Sequence, residues 1–180
     1  MNTRALILPG IGDSDPEHWQ SLWQSAQPNF KRVHQRDWAC PVCTDWIVTL
    51  EHAVSQADEN VVLVAHSLGC LLVAHWAAQT TRKIKGALLV APPSPTAAPA
   101  AAIFETVASG FLPVPMRPFA FPSIVVASSD DPYSELDFSH SCAAAWGSRL
   151  VNMGAFGHIN TSSGLGAWPE GYALCQELAA

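Results

Sequence analysis

Charge is scarce in this sequence. Lys, Arg, Asp and Glu together make up 13% of its 180 residues, against 49% hydrophobic ones. Basic residues are the rarer sign, nine against fifteen acidic, and the net charge is −6. Nothing resembles a basic stripe, which excludes a nucleic-acid backbone as partner. Long apolar runs are also missing. None approaches the ~18 residues that a membrane span requires, so no membrane partner is expected. Met1-Asn2-Thr3-Arg4 runs straight into a short strand without the apolar stretch of a secretory signal. The chain therefore reads as a soluble cytoplasmic protein. Cysteines number five, at 40, 43, 70, 142 and 175. An odd, scattered set suggests no disulfide framework. Cys40-Pro41-Val42-Cys43 has the spacing of a zinc or redox pair. Zinc would need a second pair, and a redox pair usually follows the first strand of its fold whereas this one follows the second. The two read as small thiols in a loop. The histidines show no ligand spacing, and neither a metal nor a cofactor is expected.

What the chain does have is apolar content for one sizeable core, enough to bury roughly 70% of the unfolded surface. A single domain over residues 1–180 is expected. Its most informative stretch runs from Asn60 to Gln79. Val61-Val62-Leu63-Val64 suits a strand buried on both faces. Leu71, Leu72, His75 and Ala78 then recur at helical spacing. Between them Ala65-His66-Ser67-Leu68-Gly69 must reverse the chain within a few residues. Small residues have to flank such an apex, and Ala65 and Gly69 do. Ser67 is left at the tip, the logic of a nucleophile elbow with Ala in the usual first Gly position.

The remaining elements follow in alternation. Arg4–Leu8 is a first strand, followed by the glycine-bearing turn Pro9-Gly10-Ile11-Gly12-Asp13-Ser14. Asp15 or Ser14 caps the next helix, with Pro16 at its first position and Trp19, Leu22, Trp23 and Ala26 as its stripe. A second strand lies over Arg32–Arg36 and a helix over Thr44–Ala57. A fourth strand covers Gly86–Ala91. Pro92 to Pro122 holds eight of the fourteen prolines and reads as a cap or binding segment, with a short helix near Ala100–Ser109. Ser123–Ser128 is a fifth strand, Ser134 caps a helix reaching Trp146, and Leu150–Met153 is the last strand. Pro169 opens a terminal helix with Tyr172, Cys175 and Leu178 on one face. This alternation predicts a parallel α/β sheet covered on both faces.

In such sheets functional groups gather at the carboxyl ends of the strands. There lie Pro9-Gly10-Ile11-Gly12, Ser67, Asp130-Asp131 and His158, and the order Ser, Asp, His is that of a hydrolase triad. Ser67 is a poor nucleophile until an imidazole takes its proton, the task for His158, whose tautomer a carboxylate must fix. The aspartates compete for that task. Pro132 biases Asp131 toward an extended conformation, while either can cap the turn; Asp131 is favoured. The amides of Leu68 and Ile11 are candidate donors to an oxyanion. His18 and Trp19, beside that turn, are candidates for the acyl pocket, Trp19 equally for the core. His66 is read as structural.

The four motifs Pro9-Gly10-x-Gly12-Asp13-Ser14 with His18-Trp19-Gln20, Ala65-His66-Ser67-Leu68-Gly69, Ser128-Ser129-Asp130-Asp131-Pro132-Tyr133 and Gly157-His158-Ile159-Asn160 resemble the small serine hydrolases related to retinoblastoma-binding protein 9 and the bacterial YdeN-type proteins. The resemblance spans essentially the whole chain. It implies a minimal α/β-hydrolase fold with a six-stranded parallel sheet of order 2-1-3-4-5-6, and the second aspartate, Asp131, as the triad acid beside Ser67 and His158. A retinoblastoma-protein contact is not carried over, because Leu174-Cys175-Gln176-Glu177 breaks the Leu-x-Cys-x-Glu spacing that it needs. The expectation is a serine hydrolase without metal or cofactor, acting on an ester or amide of a small acyl group. The alternatives are a scaffold that has lost catalysis under the proline-rich cover, or an acyltransferase. Trp19, Phe111 and Phe119 are expected to crowd the cavity and favour short acyl groups.

Overall fold

The computed structural model describes residues 4–57 and 59–180. The reading of residues 1–3 as a leaderless start lies outside the described residues. Six strands form one sheet: β1 (Arg4–Leu8), β2 (Phe30–Arg32), β3 (Val61–His66), β4 (Gly86–Val90), β5 (Ser123–Ala127) and β6 (Arg149–Asn152). All pairings are parallel and the order is β2-β1-β3-β4-β5-β6. Parallel strands need crossover connections. Helices supply most of them: α1 (Trp19–Ala26), α2 (Cys43–Ser55), α3 (Leu68–Ala77), α4 (Ala98–Thr106) and α5 (Leu136–Trp146), with α6 (Pro169–Ala179) closing the chain. Among the described residues no helix is long and apolar enough to cross a membrane.

Side chains alternate across the sheet because a strand has a period of two. Leu6, Leu8, Leu63, Ala65, Leu89 and Val125 pack with Trp46, Leu71, Trp76 and Trp146 from α2, α3 and α5. Ile7, Val62, Val64, Leu88, Val90 and Val126 pack on the other face with Trp19 and Trp23 of α1 and Cys175 and Leu178 of α6. The central strands β3, β4 and β5 are buried at every position. That explains why their sequences are continuous apolar runs.

Several boundaries differ from those read in the sequence. The second strand lies at Phe30–Arg32, earlier than 32–36, because Phe30 pairs with Ala5 and buries its ring against Trp23 and Tyr172. The first helix is capped by His18, whose Nδ1 accepts from the Gln20 N–H. Asp15 instead closes a preceding turn by accepting from the Glu17 and His18 amides, and Pro16 sits in that turn. Glu135, not Ser134, is the N-cap of α5, and it makes no side-chain bond there. The helix in the proline-rich segment runs over 98–106, and α3 ends at Ala77. Cys43 is no loop thiol: it is the first residue of α2, buried, and burial pushes its pKa up to about 11. Cys40 remains exposed in the loop.

Strand order reverses between β1 and β3, so the crevice at their carboxyl ends is the switch point of the sheet. There α3 starts directly against the end of β1. A Cβ on Gly69 would stand 2.3 Å from the Leu8 carbonyl oxygen and 3.0 Å from that of Pro9. Both are backbone atoms, one at the end of β1 and one in the turn that leaves it, and cannot swing aside. Gly69→Ala is therefore expected to destabilise by more than about 2 kcal/mol. For a domain of this size that is a fall in Tm of roughly 5 °C or more, read by thermal unfolding. An unchanged Tm would contradict this account of the turn.

Candidate active site

Ser67 stands between β3 and α3 with φ 54° and ψ −125°. A non-glycine residue in such a conformation costs on the order of 1–3 kcal/mol and persists only where its surroundings dictate it. They do here. The Ser67 N–H donates to the Val90 carbonyl at 2.9 Å, and the Ser67 carbonyl accepts from Cys70 at 2.9 Å. Gly10 closes the approach from the β1 turn, where a Cβ would lie 2.8 Å from the Ser67 Cβ. The hydroxyl is thereby fixed above the sheet end, partly open to solvent.

His158 arrives on the loop after β6. Gly154 and Gly157, with φ of 85° and 55°, let that loop turn back over the sheet. Three elements hold it. The Trp19 Nε1–H donates to the Ile159 carbonyl at 2.8 Å. His66 Nε2 lies 2.9 Å from the His158 carbonyl, and since a carbonyl only accepts, that nitrogen carries the proton. Asp130 accepts from the Gly157 N–H at 2.7 Å and from the Ser128 hydroxyl at 2.7 Å. These bonds hold the Asp130 carboxyl below its ordinary pKa, that from Ser128 foremost.

Asp131 faces the other way. Its Oδ1 accepts from the Tyr133 N–H at 2.9 Å, and both its oxygens lie 2.9 Å from His158 Nδ1. The carboxylate can only accept, so neutral His158 carries its proton on Nδ1. Its Nε2 is then a bare acceptor 2.9 Å from Ser67 Oγ. The imidazole side chain is 9% exposed and the carboxylate 2%, so water hardly competes for this contact. The structure thus brings Ser67, His158 and Asp131 into one line of hydrogen bonds. Asp130 belongs to the loop anchor.

Ser67 and His158 open into a cavity of about 350 Å³. Ile11, Leu68 and His18 line it. The amides of Ile11 and Leu68 are not taken up by any backbone carbonyl among the described residues. Trp19 does not line the cavity. It is 1% exposed and sits in the core with Trp23 and Trp168, its indole N–H committed to Ile159. Phe111 and Phe119 are absent from the wall too: Phe111 packs on Trp46 and His75, and Phe119 stacks on Phe121 and Trp146. The proline-rich segment supplies that wall instead, through Pro93 and, from α4, Ala100, Ile103 and Phe104. Sequence reasoning passed over Tyr133, which lines the cavity with its ring 4.6 Å from that of His158. Its place two residues after Asp131 was the available signal.

The rings of His18, His66 and His158 lie side by side, His18 to His66 at 4.8 Å edge to face and His66 to His158 at 4.9 Å and tilted. Burial lowers the His18 pKa from 6.5 to about 4. Burial lowers that of His66 well below 6.5, helped by the neighbouring histidines. Among the described residues no group of His, Cys, Asp and Glu is arranged to hold a metal ion.

The sequence profile of a family described as serine hydrolase matches residues 5–177. A crystal structure from Pectobacterium atrosepticum, titled a YdeN-like hydrolase, is 31% identical; the match covers 99% of this chain and 91% of that one, with TM-score 0.86. The ydeN gene product of B. subtilis is 21% identical over 98% of each chain, with TM-score 0.77. An esterase of Rhodococcus shares the fold at 13% identity and TM-score 0.66, covering 99% of this chain and 91% of its own. No curated protein sequence matches.

The buried imidazoles make stability depend on acid. Folded His18 stays neutral down to about pH 4, whereas the unfolded chain protonates it near 6.5. Unfolding therefore takes up protons in that window. Stability is full above pH 6.5 and falls as the pH drops toward 4, by about 3 kcal/mol from His18 alone. His66 deepens the loss. Urea midpoints measured at pH 7.5 and 4.5 should show it; equal midpoints would contradict the buried neutral pair.

Proposed function

The chain belongs to the serine hydrolase family, and from that premise we propose that it hydrolyses carboxylic esters of small acyl groups through an acyl-Ser67 intermediate. The observation that carries this reading is the unbroken line from the Asp131 carboxylate through His158 to the Ser67 hydroxyl, with 2.9 Å at each step, at the floor of an open cavity.

In the reaction, Ser67 Oγ attacks the ester carbonyl while its proton passes to His158 Nε2. Asp131 holds Nδ1–H and stabilises the imidazolium that results. The carbonyl electrons move onto oxygen, facing the amides of Ile11 and Leu68; a donor of this kind is typically worth about 3–4 kcal/mol in the transition state. Collapse expels the alcohol, which takes the proton from His158. A water then gives its proton to the same nitrogen, attacks the acyl-serine, and Ser67 leaves with its proton restored. Leu68, Ala100, Ile103 and Phe104 give the acyl chain an apolar wall, and about 350 Å³ suits a short one. Two features speak against a buried, inactive elbow: Ser67 remains partly exposed, and the proline-rich segment forms a side wall.

A fluorophosphonate probe should label Ser67, and His158→Ala should abolish labelling. Ser67→Ala should lower kcat on p-nitrophenyl butyrate by about 10⁶, the scale known for triads. Asp131→Asn should cost about 10⁴ by fixing the wrong tautomer. Asp130→Asn should cost far less, acting only through the loop. A protein that neither labels nor turns over would refute the reading. Hydrolysis that survives Ser67→Ala would refute it equally.

A further inference from the structure

The turn that carries the Ile11 amide is strained and does not hold its shape alone. Gly12 has φ 80° and Asp13 has φ 66°. The second value lies in the left-handed region, which a residue other than glycine enters at a cost and keeps only where its surroundings impose it. The bond that closes the turn, from the Asp13 N–H to the Gly10 carbonyl, is long at 3.3 Å. Holds from outside the turn therefore decide where the Ile11 amide stands.

One of these holds is a side chain that the reaction above leaves without a role. Arg32 ends the edge strand β2, opposite Ile7 of β1, and shares a sheet face with Phe30, which packs on α1. Its side chain is 9% exposed. Two of its N–H groups reach α1, from Nε to Gln24 Oε1 at 3.1 Å and from Nη2 to Ser21 Oγ at 2.6 Å. Nη1 serves the turn, donating to Asp13 Oδ1 and to the Ser14 carbonyl at 2.9 Å. The planar, forked guanidinium is suited to holding a helix and a turn at once. Trp38 and Gln20 hold other points of the turn, the Gly12 N–H at 2.9 Å and the Ser14 hydroxyl at 2.7 Å. Among the described residues only Arg32 reaches the Asp13 carboxylate from another element.

The ion pair also settles a charge. Asp13 lines the cavity beside Gly10, Ile11 and Ser67, and its side chain is 29% exposed. An uncompensated carboxylate there would oppose negative charge developing on a substrate oxygen, and the Arg32 guanidinium offsets it. A partly buried ion pair is a weak device for stability alone. Fixing a donor in advance of the reaction is worth much more.

We propose that Arg32 is a positioning residue for the reaction: by clamping Asp13 and Ser14 to α1 it fixes the Ile11 amide as an oxyanion donor and neutralises the carboxylate beside it. This rests on the hydrolase reading and deepens it. Arg32 does not line the cavity, so it acts through the turn and not on the substrate.

Two variants test this. Arg32→Gln withdraws the charge and the fork, whereas Arg32→Lys keeps a charge for Asp13 but cannot span both elements. Each protein is titrated to completion with a fluorophosphonate, so that rates refer to competent sites and not to total chain. Rates on p-nitrophenyl butyrate are then set beside inhibition by propylboronic acid, whose anionic tetrahedral adduct with Ser67 mimics the oxyanion. Arg32→Gln is expected to lower kcat per site about ten- to a hundredfold, less than outright loss of a donor, with KM within about threefold of wild type. Affinity for the boronic acid should fall by the same factor as kcat/KM, and Arg32→Lys should lie between Arg32→Gln and wild type. A merely structural role would lower the titratable fraction and leave both per-site quantities alone. An unchanged per-site kcat in Arg32→Gln overturns the proposal, as does a loss confined to KM or one that boronic-acid affinity does not share. Should Arg32→Gln fail to fold, Arg32→Lys decides by the same readouts. Wild-type protein that neither labels nor turns over the ester would instead count against the hydrolase reading.

Discussion

Everything at the carboxyl edge of the sheet depends on one steric constraint, the contact between the end of β1 and the first turn of α3. The Leu8 carbonyl lies where a side chain at residue 69 would begin. Glycine there lets the helix start immediately after the strand, and Gly10 allows the β1 turn to close on Ser67 from the other side. Squeezed between them, Ser67 adopts a backbone conformation it would not choose alone, and its hydroxyl has one place to be. The energy for this strain comes from a sheet whose central strands are buried on both faces. Core and elbow are thus one design: the first makes the second affordable.

The neighbouring histidines extend the same principle to charge. An imidazolium at His158 is stabilised by Asp131, and fixed positive charge alongside would undo that. His18 and His66 pack in series toward it, and burial keeps both neutral. Their hydrogen bonds then fix the scaffold: His66 Nε2–H holds the loop at the His158 carbonyl, and His18 Nδ1 caps α1 by accepting from the Gln20 N–H. The adjacent aspartates divide their labour in a similar way. Asp130 ties the β5 and β6 loops together, while Asp131 orients the imidazole.

Much of this was legible in the sequence because it is local. Strand, small residue, serine and Gly69 fall within one short stretch, and the paired apolar runs leave little choice of sheet type. The order of chemical groups along the chain also survives folding, so Ser67, Asp131 and His158 could be named together. What escaped is set by distant contacts. Nothing local distinguishes Trp19 in a pocket from Trp19 in the core; its indole bond reaches Ile159, 140 residues away. Phe30 enters the sheet because Ala5 offers a pairing position, which places β2 two residues earlier than the local sequence suggests. His66 was rightly separated from Ser67, but its bond to the His158 carbonyl joins residues 92 apart and has no signature in either segment. The proline-rich stretch shows its composition plainly, yet only its packing selects Ile103 and Phe104, over Phe111 and Phe119, for the cavity.

The central claim, that the Ser67 hydroxyl becomes the acyl acceptor, is tested most directly by acid-quenching the protein during turnover of a p-nitrophenyl ester and mapping the covalent product by mass spectrometry. The account predicts one acyl group per chain, on the peptide that contains Ser67 and at that residue. Turnover with no acylated peptide under any quench time, or an acyl group on a different side chain, would contradict it.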